Sequence, residues 1–526
     1  MHNFSHAQHI SKKVCRSSHG IVVSQHRQAS EVGAKILRQG GNAIDAAIAV
    51  SFALGALEPW MSGLGGGGYM VCRFAKDNKV KVIDFGMRSP VGLDPVQYPI
   101  VKGEANDLFP WPKVKDDANV IGATSIAIPG VVAGMQTAFE NYGTFDWKKL
   151  VQPAIDFAKK GILIDWYTQL ILSGSGADIA RFDKTSEIFL DENKRPKVGS
   201  WVLTNENRII LNELAHTLET LRDLGGGAFY HGELAENIVA DINAEGGCFH
   251  LSDLNSYEAK LVDPLVMPYS GGSIYVTPEM TAGQTLMNVM NALTKSELDP
   301  DQPDAKSFSA YAESLLNAYS DRLLNMGDSS ADVHNEGCTS HFNIVDKDGN
   351  MVSVTQTLLS IFGSKLTLPS SGILMNNGIM WFDPEQGKRN SLQPAKRCLS
   401  NMCPVYAQKE GKHYVLGAAG GRRILPAVCQ ILSFLFDYNM SLEEALHLNR
   451  IDVSGNKSVL GNEKLNSHIH EVLSQKYTYS QAYWTAYPHN FGIPSVAMHS
   501  AKENQGMADV MSPWSDAVAE TRCRAR

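Results

Sequence analysis

The stretch Cys338-Thr-Ser-His-Phe-Asn-Ile-Val-Asp346 constrains this chain most. It alternates apolar and polar residues, turns over Asp346-Lys-Asp-Gly-Asn350 and continues into Met351-Val-Ser-Val-Thr-Gln-Thr357. Period-two alternation on both sides of a glycine-containing turn predicts a β-hairpin. The segment ahead of it, Gly327-Asp-Ser-Ser-Ala-Asp-Val-His-Asn-Glu-Gly337, is polar and cannot bury much. A hydroxyl at the start of a strand, behind a segment that can be cut, has the layout of an N-terminal nucleophile. Cutting the Cys338–Thr339 bond would leave Thr339 with a free amine beside its own hydroxyl, able to serve as its base. The same residues also fit an ordinary hairpin with an exposed Thr and His.

Thr339-Ser-His-Phe-Asn-Ile-Val-Asp346, with Asp348-Gly-Asn350 and Ser353-Val-Thr-Gln-Thr357, resembles the maturation site of the γ-glutamyltranspeptidase family. The resemblance implies a proenzyme that cuts itself before Thr339, the new N-terminal Thr becoming the catalytic nucleophile. Further segments resemble the family: Gly40-Gly-Asn-Ala-Ile-Asp-Ala-Ala47, Gly63-Leu-Gly-Gly-Gly-Gly-Tyr-Met70, residues 126–135, Ala318-Tyr-Ser-Asp-Arg322 with Gly327-Asp328, and residues 370–378, 396–404 and 414–424. Arg450 and Gly506-Met-Ala-Asp509 match the family's tail. The implied fold is α+β, a four-layer αββα sandwich of the N-terminal nucleophile hydrolase type. Residues 1–338 and 339–526 would form one intertwined unit after cleavage, a heterodimer of fragments, with a dimer of such heterodimers as a further option.

Composition bounds the function classes. The chain has 526 residues, 44% hydrophobic and 19% charged, enough for a large core or several domains. A net charge of −8 argues against a general nucleic-acid binder. The eight cysteines are scattered without a CxxC pair, so neither a zinc site nor a small disulfide scaffold is signalled. Met1-His-Asn-Phe-Ser-His-Ala-Gln-His-Ile-Ser-Lys-Lys13 has no apolar stretch of the kind a secretory signal needs. The longest apolar runs, 46–56 and 424–436, fall short of the roughly 20 residues of a membrane span. A cytoplasmic protein with reduced thiols and no membrane partner is the expectation, although many members of the family are secreted or anchored.

Along the chain, residues 20–25 predict a strand and 29–38 a helix stopped by Gly40-Gly41. Asn42 caps a second helix, 43–56, that is apolar almost all round and therefore buried. The glycine run 65–68 lacks a Gly-Lys-Ser/Thr ending and precedes a strand, which argues against a phosphate loop and for close backbone approach. Residues 91–121 read as loop, with Phe109-Pro-Trp-Pro112 extended and long enough to cover a site. Residues 147–325 read mostly as amphipathic helices, among them 149–159, 207–224 and 307–324.

The chemistry follows from six positions. Thr339 would first attack the carbonyl of Cys338 and later a substrate amide. Cys338 is a rival nucleophile by its thiol, but the strand motif aligns on Thr339. With a five-residue loop over 346–350, Val345 faces Met351, and counting back places Thr357 opposite Thr339; a tighter Asp-Gly turn would shift this by one. The resemblance implies that Thr357 hydrogen-bonds the nucleophile; read alone it is a β-favouring surface Thr. Gly420-Gly421, between a strand and a helix, can offer successive N–H groups as an oxyanion hole, a role the resemblance implies, or form a plain turn. His341 shares a face with Thr339, but an N-terminal nucleophile brings its own amine, so His341 is expected to support rather than to catalyse. No metal or cofactor is expected.

The substrate pocket departs from the family. Its pattern Asp-Phe-Arg-Glu-x-Ala-Pro supplies an Arg that grips the α-carboxylate of a γ-glutamyl group; here Gly86 stands at that position, and Arg88, two residues on, would point elsewhere unless the loop is rebuilt. Leu359 replaces a polar Asn, Gly378 and Trp381 replace the Gln and Asp that hold the α-amino group, and Asn401 replaces the second Ser beside Ser400. Removing a charged partner from a buried site costs roughly 2–5 kcal/mol. The expectation is therefore a Thr amidohydrolase or acyltransferase acting on a small-molecule amide with a non-γ-glutamyl acyl group. A true γ-glutamyltransferase or glutathione hydrolase with a rebuilt pocket is the alternative, and an uncleaved, non-catalytic binding homologue is the second.

Overall fold

The computed structural model describes residues 9–104, 112–200, 206–326, 338–453, 458–487 and 489–521. The start of the N-terminal stretch, residues 1–8, the aromatic segment Phe109-Pro-Trp111, the polar segment 327–337 with its Gly327-Asp328, and Cys523 lie outside the described residues.

The predicted hairpin is the centre of the architecture. Cys338–Val345 pairs with Met351–Leu359, and every residue of the second strand is buried. Strands buried on both faces must be covered on both, and here they are. Ile21–Ser24 and Gly67–Arg73 flank the hairpin; Asp516–Ala519, Val80–Phe85 and Lys260–Val262 complete a seven-stranded antiparallel sheet. A second seven-stranded antiparallel sheet runs Cys15–Ser17, Asn504–Ala508, Ile493–His499, Lys412–Ala419, Val405–Lys409, Gly272–Val276, Leu265–Tyr269. Val23, Val71, Val345 and Met351 of the first sheet meet Tyr406, Val415 and Ala497 of the second. On the outer face of the first sheet, Phe342, Ile344, Val352 and Val354 pack under helix Ala43–Leu57 and its neighbours. Ile424–Phe436, Gly283–Leu293 and Ala305–Asn325 cover the second. The result is the expected four-layer αββα sandwich. Both sheets mix strands from before and after residue 338, so the two sequence regions are intertwined.

Local chemistry sets the central helix as expected. Asn42 Oδ1 accepts from the N–H of Ile44 and Asp45 (2.8 and 3.0 Å), and Asp45 returns a bond from the Asn42 N–H (2.9 Å). Such a capping box is worth about 1 kcal/mol.

Three readings need correction. Residues 260–276 are strands, not helix: Ser270 (φ 44°) and Gly271 (φ 79°) form a two-residue turn whose left-handed dihedrals favour a hairpin. The helix expected over 207–224 begins at Asn212, because Arg208–Ile209 pairs with Ile162–Leu163. The loop 91–121 contains a small pair, Ile100–Glu104 with Pro112–Val114. The other two helices run Trp147–Lys160 and Ala305–Asn325, close to their expected bounds. Among the described residues no helix is long and apolar enough to cross a membrane, and Cys72, Cys248, Cys403 and Cys429 are free thiols.

Candidate active site

The hairpin turn is the five-residue loop. Val345 faces Met351, Asp346 N–H donates to the Asn350 carbonyl (3.0 Å), and Asp346 Oδ1 accepts from the N–H of Asn350 (2.9 Å). The register counted from that loop holds from Val345 back to Ser340, which faces Gln356. At Thr339 the ladder slips by one, so that Cys338 faces Leu359. A bulge re-aims a side chain, and here it lies at the proposed nucleophile. The Thr339 hydroxyl still meets that of Thr357, at 3.5 Å, the outer limit of a hydrogen bond. Thr357 Oγ1 also accepts from the Leu359 N–H (2.8 Å). Thr339 is 2% exposed and Thr357 is fully buried, so neither is a surface Thr.

The two faces of the strand Cys338–Val345 carry different partners. Ser340 points to the helix side, where its hydroxyl donates to Glu58 Oε1 (2.7 Å) and accepts from Ser62 (2.9 Å). Burial lifts the Glu58 carboxyl to about 7. Sequence reading missed Glu58; its signal is a carboxylate directly after a helix that carries no other charge beyond its first turn.

His341 points to the inter-sheet side and is fully buried, not exposed. Its Nε2 meets Asn343 Nδ2 (3.0 Å) and its Nδ1 meets Thr355 Oγ1 (2.9 Å). An amide N–H can only donate, so Nε2 is the acceptor and Nδ1 carries the proton. Burial pushes His341 down to about 3, so the ring stays neutral near pH 7 and is a weak base, in keeping with a supporting part.

The second sheet crosses the hairpin with a definite sense. A side chain at Gly417 would run into the His341 ring, and Ser353, which faces Asn343, donates to the Leu416 carbonyl (3.2 Å). Stepping from Leu416 to Gly417 therefore moves toward the Thr339 end, and Gly420-Gly421 lie just beyond that strand. Both have left-handed dihedrals (φ 117° and 60°), and their amides fall between the strand ladder ending at Ala419 and the helix beginning at Ile424. Tyr319 braces this turn by donating to the Arg422 carbonyl (2.5 Å). Three residues on, Arg322 donates to the carbonyls of Ser400 (2.7 Å) and Thr281 (2.8 Å). Helix Ala305–Asn325 thus holds both the glycine turn and the Ser400 segment.

The pocket positions are filled. A Cβ at Gly86 would overlap the Tyr69 hydroxyl and lie 3.0 Å from Tyr69 Cζ. A Cβ at Gly378 would lie 2.7 Å from Ala127 Cβ and 2.9 Å from Met87 Sδ. Tyr69, Met87, Leu359, Trp381, Cys398 and Met402 form one buried apolar cluster. Ser400 Oγ accepts from the Met402 N–H (3.1 Å), and Asn401 is buried beside it. Arg88 lies beside that cluster, its backbone bridged to Ile128 and Arg397. Its guanidinium lies over the Tyr257 ring (5.4 Å), and Tyr257 in turn donates to the Gly86 carbonyl (2.8 Å) and stacks on Tyr230. Among the described residues no group of three His, Cys, Asp or Glu is placed to hold a metal ion.

A four-layer αββα sandwich with a hydroxyl at the head of a central strand is the arrangement of the N-terminal nucleophile hydrolases. Within that class the chain belongs to the γ-glutamyltranspeptidase family, whose model matches residues 29–337 and 329–518. It is 30% identical over 496 residues to the glutathione hydrolase proenzyme of Bacillus subtilis (strain 168), covering 84% of this chain and 81% of that one. It is likewise 30% identical over 502 residues to the acylase ACY 1 proenzyme of Pseudomonas sp. (strain SE83), covering 88% and 87%. The solved cephalosporin acylase from Bacillus halodurans superposes with a TM-score of 0.84 over 98% of this chain and 99% of that one; at 21% identity, that likeness speaks for the fold. The chain is thus an enzyme of the N-terminal nucleophile hydrolase type.

Proposed function

We propose that the chain cuts itself before Thr339 and then hydrolyses or transfers a small, non-γ-glutamyl acyl group through a Thr339 ester. In the first step the Thr339 hydroxyl adds to the Cys338 carbonyl and the C–N bond breaks, giving an ester and a free Thr339 amine; water then splits the ester, leaving a carboxylate on Cys338 and restoring the Thr339 hydroxyl. In turnover that amine takes the hydroxyl proton as Oγ attacks the substrate amide. The amides of Gly420 and Gly421 receive the oxyanion, and Thr357 orients the nucleophile. Collapse expels the leaving amine, which takes the proton back, and water or a second amine then releases the acyl group. The fragments 1–338 and 339–526 would remain together as a heterodimer, in keeping with their mixed sheets. The free thiols fit a reducing compartment such as the cytosol.

The observation that carries the acyl preference is Tyr69 filling the side-chain space of Gly86. Where the family resemblance puts a cation, this pocket has a phenol; where it puts amino-group ligands, it has Gly378 and Trp381. With no charge at positions 86, 378 and 381, and with the nearby Arg397 paired to Glu279, burying the α-carboxylate and α-ammonium of a γ-glutamyl group there is unfavourable. Relatives named both as acylases and as glutathione hydrolases leave two readings, and Arg88 favours the second, a true γ-glutamyltransferase. A kinetic panel of γ-glutamyl, simple acyl and dicarboxylic monoamide anilides, run on wild type and Arg88→Ala, separates them. The proposal expects γ-glutamyl anilide to be a poor substrate and Arg88→Ala to change little. A best-substrate γ-glutamyl anilide whose binding Arg88→Ala abolishes would establish the second reading.

A further inference from the structure

The buried carboxyl of Glu58 takes no part in the chemistry above, yet it touches the residue next to Thr339. It follows helix Ala43–Leu57 directly and is 4% exposed. Its partner Ser340 is locked from two sides, donating to Glu58 (2.7 Å) and accepting from Ser62 (2.9 Å). Ser62 in turn accepts from Gln356 Nε2 (3.1 Å), the residue facing Ser340 across the hairpin. Ser51 closes the chain by donating to Gln356 Oε1 (2.6 Å). The backbone of the same short segment grips the far strand: Leu358 N–H donates to the Met61 carbonyl (3.1 Å) and Phe362 N–H to that of Trp60 (2.9 Å). All these bonds converge where the ladder slips between Ser340 and Cys338.

We propose that Glu58 is a positioning residue for the Thr339 nucleophile, acting through Ser340 to hold the strand bulge on which Thr339 sits. The inference rests on the reading of Thr339 as nucleophile. Ser340 spends its acceptor side on Ser62, so its O–H needs a buried acceptor, and Glu58 supplies one. Burial keeps the carboxyl largely protonated below about pH 7, and no other charged group contributes to its shift. The hydrogen bond, not a charge, is therefore the working feature, and an amide should replace it. Without the bond, the bulge can relax into the regular ladder and turn the Thr339 hydroxyl away from its substrate.

The test compares Glu58→Ala, Glu58→Gln and Ser340→Ala with wild type, scoring cleavage before Thr339 by mass, kcat per cleaved site, KM and Tm. Misplacing a reacting group by about 1 Å costs on the order of 100-fold. Glu58→Ala and Ser340→Ala should therefore slow cleavage and lower kcat by up to that factor, with KM within about two-fold. Glu58→Gln, which keeps an acceptor, should recover most of both. Wild-type kcat in Glu58→Ala, a loss of Tm alone, or Glu58→Gln as impaired as Glu58→Ala would overturn the inference. If Glu58→Ala does not fold, Ser340→Ala decides by the same scale. A wild-type chain that stays whole would sink the Thr339 reading and this inference together, whereas cleaved wild type with unaffected variants sinks this inference alone.

Discussion

The nucleophile hairpin and the acyl pocket are held by different forces. Around Thr339 the interior is polar: Ser340, His341, Asn343, Thr355, Gln356 and Thr357 are fully buried, each in a described hydrogen bond. Such a network is directional and favours one geometry, although the buried Asn343 Oδ1 has no hydrogen-bond partner among the described residues. In the pocket, Tyr69, Met87, Leu359, Trp381 and Met402 are held mainly by apolar packing, and glycines at 86 and 378 make the room. Packing tolerates volume-conserving exchange far better than a directional network tolerates deletion. On the proposed roles, the contrast makes the reacting group and its specificity physically separable in this fold.

The largest expected effect breaks or keeps that separation. Two to five kcal/mol lost on an unpaired buried charge corresponds to roughly 30- to several-thousand-fold in kcat/KM. Tyr69→Ala with Gly86→Arg should recover part of that factor for γ-glutamyl anilide while cleavage before Thr339 proceeds as in wild type. Slower cleavage in that variant would show the two regions to be coupled.

Next comes the glycine turn. Removing one oxyanion donor costs on the order of 100–1000-fold in rate, whereas a non-glycine residue at φ 60° costs about 1–2 kcal/mol of stability. Gly421→Ala keeps its N–H but disfavours the φ of 60° that aims it, so kcat should fall by up to that factor as the amide turns away, more than Tm accounts for. Unchanged turnover in a folded, cleaved Gly421→Ala would remove the turn from the site.

A third effect divides the two faces of the nucleophile strand by pH. Each pKa unit of difference between folded and unfolded states is worth about 1.4 kcal/mol. His341 drops from 6.5 to about 3 on folding, so its contribution is present above pH 6.5 and is lost as pH falls toward 3. Glu58 rises from 4.5 to about 7, so its contribution is present below pH 4.5 and is lost as pH rises toward 7. Denaturant melts across pH should show His341→Gln flattening the acid limb and Glu58→Gln the limb between 4.5 and 7. If neither slope changes, the burial account of both residues is wrong.

The smallest effect is expected of Thr357→Val. A neutral hydrogen bond contributes about 1 kcal/mol net, so kcat should fall roughly five-fold with cleavage slowed in step. A much larger loss would mean that Thr357 does more than orient.

The hairpin was legible because its determinants are local. The loop 346–350 fixes the register, and counting from it places Thr357 beside Thr339. The slip at Thr339 was not legible, because Ser340 is anchored by Glu58, 282 positions away. The pocket was half legible. Gly86, Gly378 and Trp381 could be named from the resemblance, but what fills their space comes from Tyr69, Met87 and Ala127 on other segments. The strands over 260–276 were missed although Tyr269-Ser-Gly-Gly272 is a turn signal, because the runs on either side are short and Pro264 and Pro268 interrupt them. The sense in which Lys412–Ala419 crosses the hairpin, which directs Gly420-Gly421 toward Thr339, is tertiary and left no trace in spacing.

The claim on which the rest depends is that Thr339 becomes an N-terminus. Purified full-length chain, incubated and followed by intact mass and N-terminal sequencing, tests it most directly. The account predicts two fragments that stay together, the smaller beginning Thr-Ser-His-Phe, and a Thr339→Ala chain that remains whole. A fragment beginning at Cys338, or a wild-type chain that stays whole under conditions where it is folded, would contradict it.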